Sequence, residues 1–111
     1  MTSAALDRTL AALADPQRRA VIELLREQPR ASGDLARALG ITPPAMSRHL
    51  RALRESQLVE ESHTQFDARV RVYALRPAPI LELRDWLADT ERLWSEQLGA
   101  FQRHLEATLK P

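Results

Sequence analysis

The stretch from residue 42 to residue 54 reads TPPAMSRHLRALR and decides the fold predicted for this chain of 111 residues. Thr42 suits the N-cap of a helix, and the two prolines after it are tolerated in a first turn, where a missing amide costs nothing. At 100° per residue, three apolar side chains fall within about 60° on one side of that helix. They are Met46, Leu50 and Leu53. We therefore predict a helix over residues 43–55 that is held by its apolar side.

The opposite side of this helix is basic and able to form hydrogen bonds. It consists of Pro44, Ser47, Arg48 and Arg51, flanked by His49 and Arg54. A guanidinium can bind guanine O6 and N7 together, and a serine hydroxyl can contact a base or a phosphate. The prolines remove two amides that could bind phosphate at the helix N-terminus, so side chains should carry the recognition. Outward arginines are also common on merely solvated faces, and the neighbouring elements decide between the two interpretations.

A short helix is predicted directly before this segment, over residues 33–39. Ser32 can cap its start, and Gly40 suits the left-handed position that follows a helix end. About three residues then lead to the helix at 43–55. Two helices joined by so short a turn are typical of a helix-turn-helix.

Two more helices are predicted before this pair and one after it. The first covers residues 3–14, where leucines recur at helical spacing. Asp15 followed by Pro16 marks the start of the second, which runs to about Gln28. Its buried side is predicted to consist of Val21, Ile22 and Leu25. A long helix over residues 80–109 follows a proline-containing break.

Between residues 58 and 75 the pattern changes from helical spacing to alternation, which predicts two short strands. The connecting SHTQFDA lacks the Asn-Gly of a tight hairpin, so we expect a longer loop around Asp67. One face of the second strand is predicted to carry Arg69, Arg71 and Tyr73. A basic strand beside a recognition helix can grip the DNA backbone. Acidic residues nearby leave open the alternative of a solvated edge hairpin.

These elements predict a mainly helical fold with a small β-hairpin, in the order α-α-α-α-β-β-α. This is a winged helix-turn-helix with a long terminal helix, formed by one domain over residues 1–111. The net charge is only +1, but residues 18–54 contain eight arginines against three acidic residues, or +5. Residues 80–111 contain four basic and six acidic residues, or −2. The basic side of the molecule is therefore the helix-turn-helix side.

Several classes of function are disfavoured by the same sequence. The chain has no cysteine, which excludes disulfides and thiolate metal sites and fits a cytoplasmic protein. No apolar run approaches the roughly 18 to 20 residues of a membrane span. The three histidines show no zinc-binding spacing, and Ser47 and His49 diverge on their helix instead of forming a catalytic pair. We expect no metal, no cofactor, no membrane contact and no enzymatic activity.

The terminal helix carries two apolar lines. The longer one consists of Leu83, Leu87, Trp94, Leu98, Phe101, Leu105 and Leu109. The second one consists of Trp86, Leu93 and Ala100. A monomer of this size can bury one side of such a helix, and two apolar sides favour a partner. Two alternatives stay open, namely that both lines are core or that Trp86 and Trp94 line an inducer pocket.

Three segments resemble the ArsR-type winged-helix repressors, in particular the branch without metal-binding cysteines. They are ALADPQRRAVIELL, GDLARALGITPPAMSRHLRALRESQLV and RVYAL, and the likeness runs from Leu10 to about Leu105. The resemblance implies a homodimer joined by the first and last helices, with the helix at 43–54 reading DNA. Founding members have a cysteine pair where this chain has Ala31 and Gly33, and the usual glycine at the wing tip is missing.

The sequence therefore predicts a homodimeric regulator of transcription, expected to repress, that binds an inverted repeat in double-stranded DNA. Its recognition helix lies at 43–55 and its wing at 58–75. The base-reading candidates are Ser47, Arg48 and Arg51, beside Pro44 on the same face. The candidates for backbone contact are Thr42, His49, Arg54, Arg69 and Arg71. The candidates for the dimer interface are Leu6, Leu10, Leu83, Leu87, Trp94, Leu98, Phe101 and Leu105. The alternative is a winged helix that binds another protein, because this fold hosts both functions.

Overall fold

The computed structural model describes residues 3–64 and 67–109 and begins with two helices, α1 (Ser3–Ala14) and α2 (Pro16–Glu27). Asp15 joins them as the N-cap of α2. Its carboxylate accepts hydrogen bonds from the backbone N–H groups of Gln17, at 2.8 Å, and Arg18, at 3.2 Å. This satisfies two amides that the first turn leaves without intrahelical partners, as the Asp-Pro start signal predicts.

The helix-turn-helix consists of α3 (Ser32–Leu39) and α4 (Pro43–Glu55). Gly40 ends α3 in the left-handed region, at φ 64°, and its N–H bonds back to the helix, as expected for glycine after a helix end. The prediction that Ser32 caps α3 was wrong. Ser32 is already helical, and Ala31 occupies the cap position without a side-chain hydrogen bond.

Three strands form one antiparallel sheet: β1 (Arg30–Ala31), β2 (Val59–His63) and β3 (Arg71–Leu75), in the order β1-β3-β2. The hairpin of β2 and β3 was predicted, whereas β1 was not. Two residues are too few to show alternation, and β1 exists because Arg30 pairs with Tyr73 across the sheet. The expectation that Arg69 belongs to the second strand was also wrong, since it lies in the turn before β3.

The core lies where α1, α2, α3, α4 and the sheet meet. Its buried apolar residues are Ala12, Val21, Leu25, Leu35, Ala36, Met46, Leu50, Leu53, Leu58, Val59 and Tyr73. All three core residues predicted for α4 are therefore confirmed. Of the three predicted for α2, Val21 and Leu25 are buried, whereas Ile22 is half-buried at the margin of the core.

Helix α5 (Ala78–Leu109) begins two residues before its predicted start, with Pro79 buried in its first turn. It contacts α1 and then extends far from the core. The molecule measures 76 × 26 × 24 Å and has a radius of gyration of 20.2 Å, against about 13 Å for a compact chain of this length. None of the helices in the described residues is long and apolar enough to cross a membrane.

The apolar lines of α5 are exposed. The exposed fraction is 42% for Trp86, 67% for Trp94, 63% for Leu98 and 59% for Phe101. The alternative in which both lines belong to the core of one chain was therefore wrong.

Candidate nucleic-acid interface

Helix α4 is fixed to the core by one side and exposes the other. Met46, Leu50 and Leu53 are at most 1% exposed. Large buried side chains of this kind each contribute about 1.5 to 3 kcal/mol to folding. Burial of this side fixes the helix on the core and keeps its opposite face directed to solvent.

The outer face of α4 carries Ser47, Arg48 and Arg51, all exposed. Within the described part of the chain, neither arginine forms an ion pair. Arg51 also lines a shallow depression together with Arg54 and Glu55. The face therefore presents two exposed guanidinium groups, each with five donors, beside a hydroxyl.

The N-terminus of α4 leaves few backbone donors for a phosphate. Pro43 and Pro44 have no N–H, and the Thr42 hydroxyl accepts the N–H of Ala45 at 3.3 Å. The N–H of Met46 bonds to the Thr42 carbonyl at 2.9 Å. That side chains, rather than first-turn amides, supply the contacts to DNA stays a prediction.

His49 connects α4 to the start of α2. The Nε of Arg18 donates to Nδ1 of His49 at 3.4 Å, and Nε2 lies 2.7 Å from the side-chain oxygen of Gln17. Since Nδ1 accepts from Arg18, Nε2 is the ring nitrogen that can donate to the Gln17 oxygen. The half-buried His49 thus orients the recognition helix on the helix behind it.

The wing is joined to α4 through Glu61 of β2. Its carboxylate accepts a hydrogen bond from Arg54 of α4 and forms an ion pair with Nε of Arg71 at 3.4 Å. The Tyr73 hydroxyl donates to the same carboxylate at 3.2 Å. The Glu61 carboxylate therefore binds Arg54 and Arg71, two arginines predicted to contact the DNA backbone, where the wing meets the recognition helix.

Tyr73 is buried beneath this junction. Desolvation raises the pKa of its phenol, and the negative charge and hydrogen bond of Glu61 raise it further. The register of the sheet explains the contact, because Glu61 is directly opposite Tyr73. A neutral phenol therefore remains available as a donor to the carboxylate at ordinary pH.

Arg69 lies at the wing tip with its side chain 92% exposed. Its Nε donates to the carboxylate of Asp67 at 3.1 Å, and its backbone N–H donates to the same oxygen at 3.0 Å. These two hydrogen bonds lower the pKa of Asp67. Of the connection expected around Asp67, Ser62 and His63 belong to β2 instead, and Gln65 and Phe66 lie outside the described residues. Arg69 is thus presented by a turn instead of a strand.

No metal centre is formed by the described residues. Among residues 3–64 and 67–109, no three histidine or carboxylate side chains come together in a group that could hold a metal ion.

Sequence reasoning missed the role of Glu61. Alternation along β2 indicates which face each side chain occupies, but only the pairing with β3 brings Glu61 opposite Tyr73. It also missed Gln17 and Arg18 as partners of His49, because those contacts join residues about 30 positions apart.

A helix-turn-helix with an exposed basic recognition helix and an attached wing defines the winged-helix class of DNA-binding proteins. Residues 15–61 match the family described as bacterial regulatory proteins of the arsR family. The HTH-type transcriptional regulator Rv2034 of Mycobacterium tuberculosis is 37% identical over 91% of this chain and 89% of its own length. The chain belongs to the arsR family and is a transcriptional regulator with a DNA-binding helix-turn-helix.

Other relatives agree with this assignment. The solved structure of an ArsR-like transcriptional regulator from Rhodococcus sp. RHA1 has a TM-score of 0.79 and 26% identity. The match covers 90% of this chain and 92% of that one. The transcriptional repressor SdpR of Bacillus subtilis is 32% identical over 50 residues, which are 45% of this chain and 56% of SdpR. The family consists of regulators, which confirms the prediction that the chain is not an enzyme.

Proposed function

We propose that this chain is a homodimeric repressor that binds an inverted repeat in double-stranded DNA. Each protomer places α4 in a major groove, and the two half-sites lie about one helical turn, ~10 bp, or a multiple of it apart. The observation that carries the proposal is the outer face of α4, where Arg48 and Arg51 are exposed without ion pairs in the described structure.

The side chains divide into two roles. Ser47, Arg48 and Arg51 read base edges, while Pro44 allows close approach on the same face. Arg54, Arg69 and Arg71 contact the DNA backbone. Thr42 and His49 contact it as well, and they also hold α4 at its cap and at its contact with α2. The exposed positions of the three backbone arginines favour this division, since phosphate contacts fix register without specifying sequence.

Helices α1 and α5 form the dimer interface in this proposal, within a single domain over residues 1–111. The residues assigned to it are Leu6, Leu10, Leu83, Leu87, Trp94, Leu98, Phe101 and Leu105. Most of these side chains are exposed, and large apolar side chains exposed along one helix favour a partner. Repression, rather than activation, is favoured by the name of the relative SdpR.

In the alternative function, the winged helix binds another protein. The salt dependence of binding distinguishes this alternative from DNA binding. DNA binding through several phosphates should weaken log-linearly with salt concentration, whereas an apolar protein contact should barely respond. A salt titration of binding to operator DNA and to random DNA makes this distinction.

The division of roles is tested with two arginine variants. We expect Arg51→Ala to cost roughly 1 to 3 kcal/mol of operator binding and to relax sequence preference, because a base contact is lost. Arg71→Ala should weaken operator and random DNA alike. Arg26→Ala is the control, since Arg26 is an exposed arginine of α2 that pairs with Glu23. If the Arg51 and Arg71 variants bind both DNAs like wild type, the assigned roles are wrong.

A further inference from the structure

We propose that Glu61 is a specificity-determining residue of the DNA interface. It holds Arg54 of α4 and Arg71 of β3 in one arrangement and offsets one of their two charges. The inference rests on the proposed function, because it requires α4 and the wing to bind the same duplex.

Glu61 is fixed from three directions. Its side chain is only 14% exposed, and its carboxylate contacts the guanidinium groups of Arg54 and Arg71 and the Tyr73 hydroxyl. The sheet register fixes its backbone opposite Tyr73. A carboxylate held in this way sets the position of the wing arginine relative to the helix arginine before DNA arrives.

Both arginines remain able to bind phosphate. The side chains of Arg54 and Arg71 are 51% and 59% exposed. A guanidinium has five N–H donors in a rigid fork, so a contact with Glu61 leaves others directed to solvent. Glu61 therefore orients the two guanidinium groups and leaves some of their N–H donors available to phosphate.

The charge balance has a consequence for specificity. Two cations and one anion give this cluster a net +1 in each protomer instead of +2. Attraction between cations and phosphates is independent of sequence, so the carboxylate weakens binding to every duplex. The fixed positions of Arg54 and Arg71 recover the lost affinity only when α4 lies in its major groove and the DNA backbone reaches both arginines. This arrangement favours the operator over random DNA.

The test compares Glu61→Gln with Glu60→Gln in the full-length chain. Both remove one carboxylate from β2, but Glu60 is exposed, pairs with Ala74 and forms no ion pair in the described residues. Glutamine at 61 keeps an acceptor for Tyr73, and melting temperatures monitor the fold. The operator DNA is the inverted-repeat duplex that the wild-type chain enriches from a random pool. Affinities for it and for random DNA of equal length are measured between about 50 and 200 mM salt.

We expect Glu61→Gln to strengthen binding to random DNA about threefold to tenfold and not to strengthen binding to the operator. The salt slope for random DNA should steepen by about 0.9 per protomer, as one more phosphate is neutralised. Glu60→Gln should change the ratio of the two affinities much less. Compared with Glu61→Gln, Glu61→Asp should restore part of the wild-type ratio of operator affinity to random-DNA affinity. In an Arg54→Ala, Arg71→Ala background, Glu61→Gln should do no more than Glu60→Gln.

Equal effects of Glu61→Gln and Glu60→Gln would overturn the inference, since only general charge would then matter. An equal loss on both DNAs, accompanied by a lower melting temperature, would overturn it as well by showing a purely structural role. Failure of the wild-type chain to prefer any operator over random DNA would contradict the proposed function itself, which separates the two failures.

Discussion

At the scale of single residues, Asp15 shows how one side chain positions the site. Its carboxylate caps α2 through the N–H groups of Gln17 and Arg18, and Arg18 in turn reaches His49 on α4. Desolvation raises the pKa of Asp15, but the hydrogen bonds from these two amides outweigh it and hold the pKa below its ordinary value of 3.8. The charged form is therefore the one that the folded state favours.

The lowered pKa of Asp15 predicts that the protein loses stability in acid. A carboxyl with a lowered pKa stabilises the folded state above the pKa of the unfolded chain and loses that contribution as pH falls through the folded pKa. We expect Asp15→Asn to be less stable than wild type at pH 5 to 7, and the gap to shrink below about pH 4. Denaturant titrations at several pH values and one protein concentration measure the difference in free energy of unfolding between wild type and Asp15→Asn. A gap that does not change with pH would refute the account, and Glu60→Gln serves as the control carboxylate.

At the scale of elements, the turn between α3 and α4 depends on Gly40. At φ 64° a Cβ would meet no heavy atom within 4 Å, so the cost of a side chain there is backbone strain alone. We expect Gly40→Ala to lower the free energy of unfolding by about 1 kcal/mol. Gly33→Ala is a matched control in the first turn of α3, where an added Cβ makes only ordinary contact with Arg37 and should not destabilise. Equal unfolding midpoints for the two variants would contradict the assigned strain.

The elements differ in how well the sequence predicts them. Helix α4 could be predicted almost completely, because its cap, its prolines and its apolar spacing are local signals. Strand β1 could not, since it is defined by pairing with β3 over about 40 residues. The structure places the start of α5 two residues before the predicted residue 80, because Pro79 lies within the first turn of the helix. A proline in a first turn is as compatible with a helix there as in α2 and α4.

The same division applies to the candidate site. The outward face of α4 follows from helical periodicity, and its exposure agrees with that expectation. The contacts that hold the face in place join distant parts of the chain, such as Arg54 with Glu61 and His49 with Gln17. Periodicity carries no information on such pairs, because it describes one element at a time.

At the scale of the whole molecule, the exposed apolar side of α5 favours the proposed dimer. Phe101 is 59% exposed on a helix that extends beyond the core. We expect Phe101→Glu to weaken dimerisation by about a hundredfold, because a large apolar contact is replaced by a charge. Gln102→Glu adds the same charge at the neighbouring, exposed position and should leave the dimer intact. Sedimentation over a range of concentrations measures both, and a Phe101→Glu chain that is dimeric like wild type would contradict the assigned interface.

The central claim, that two copies of α4 read an inverted repeat, is tested most directly by selecting bound duplexes from a random DNA pool at one fixed salt concentration. The account predicts enrichment of an inverted repeat with half-sites about 10 bp apart or a multiple of it. It also predicts that Arg51→Ala loses preference at specific positions within each half-site. Failure of the wild-type chain to enrich any inverted motif would contradict the claim and favour a protein partner.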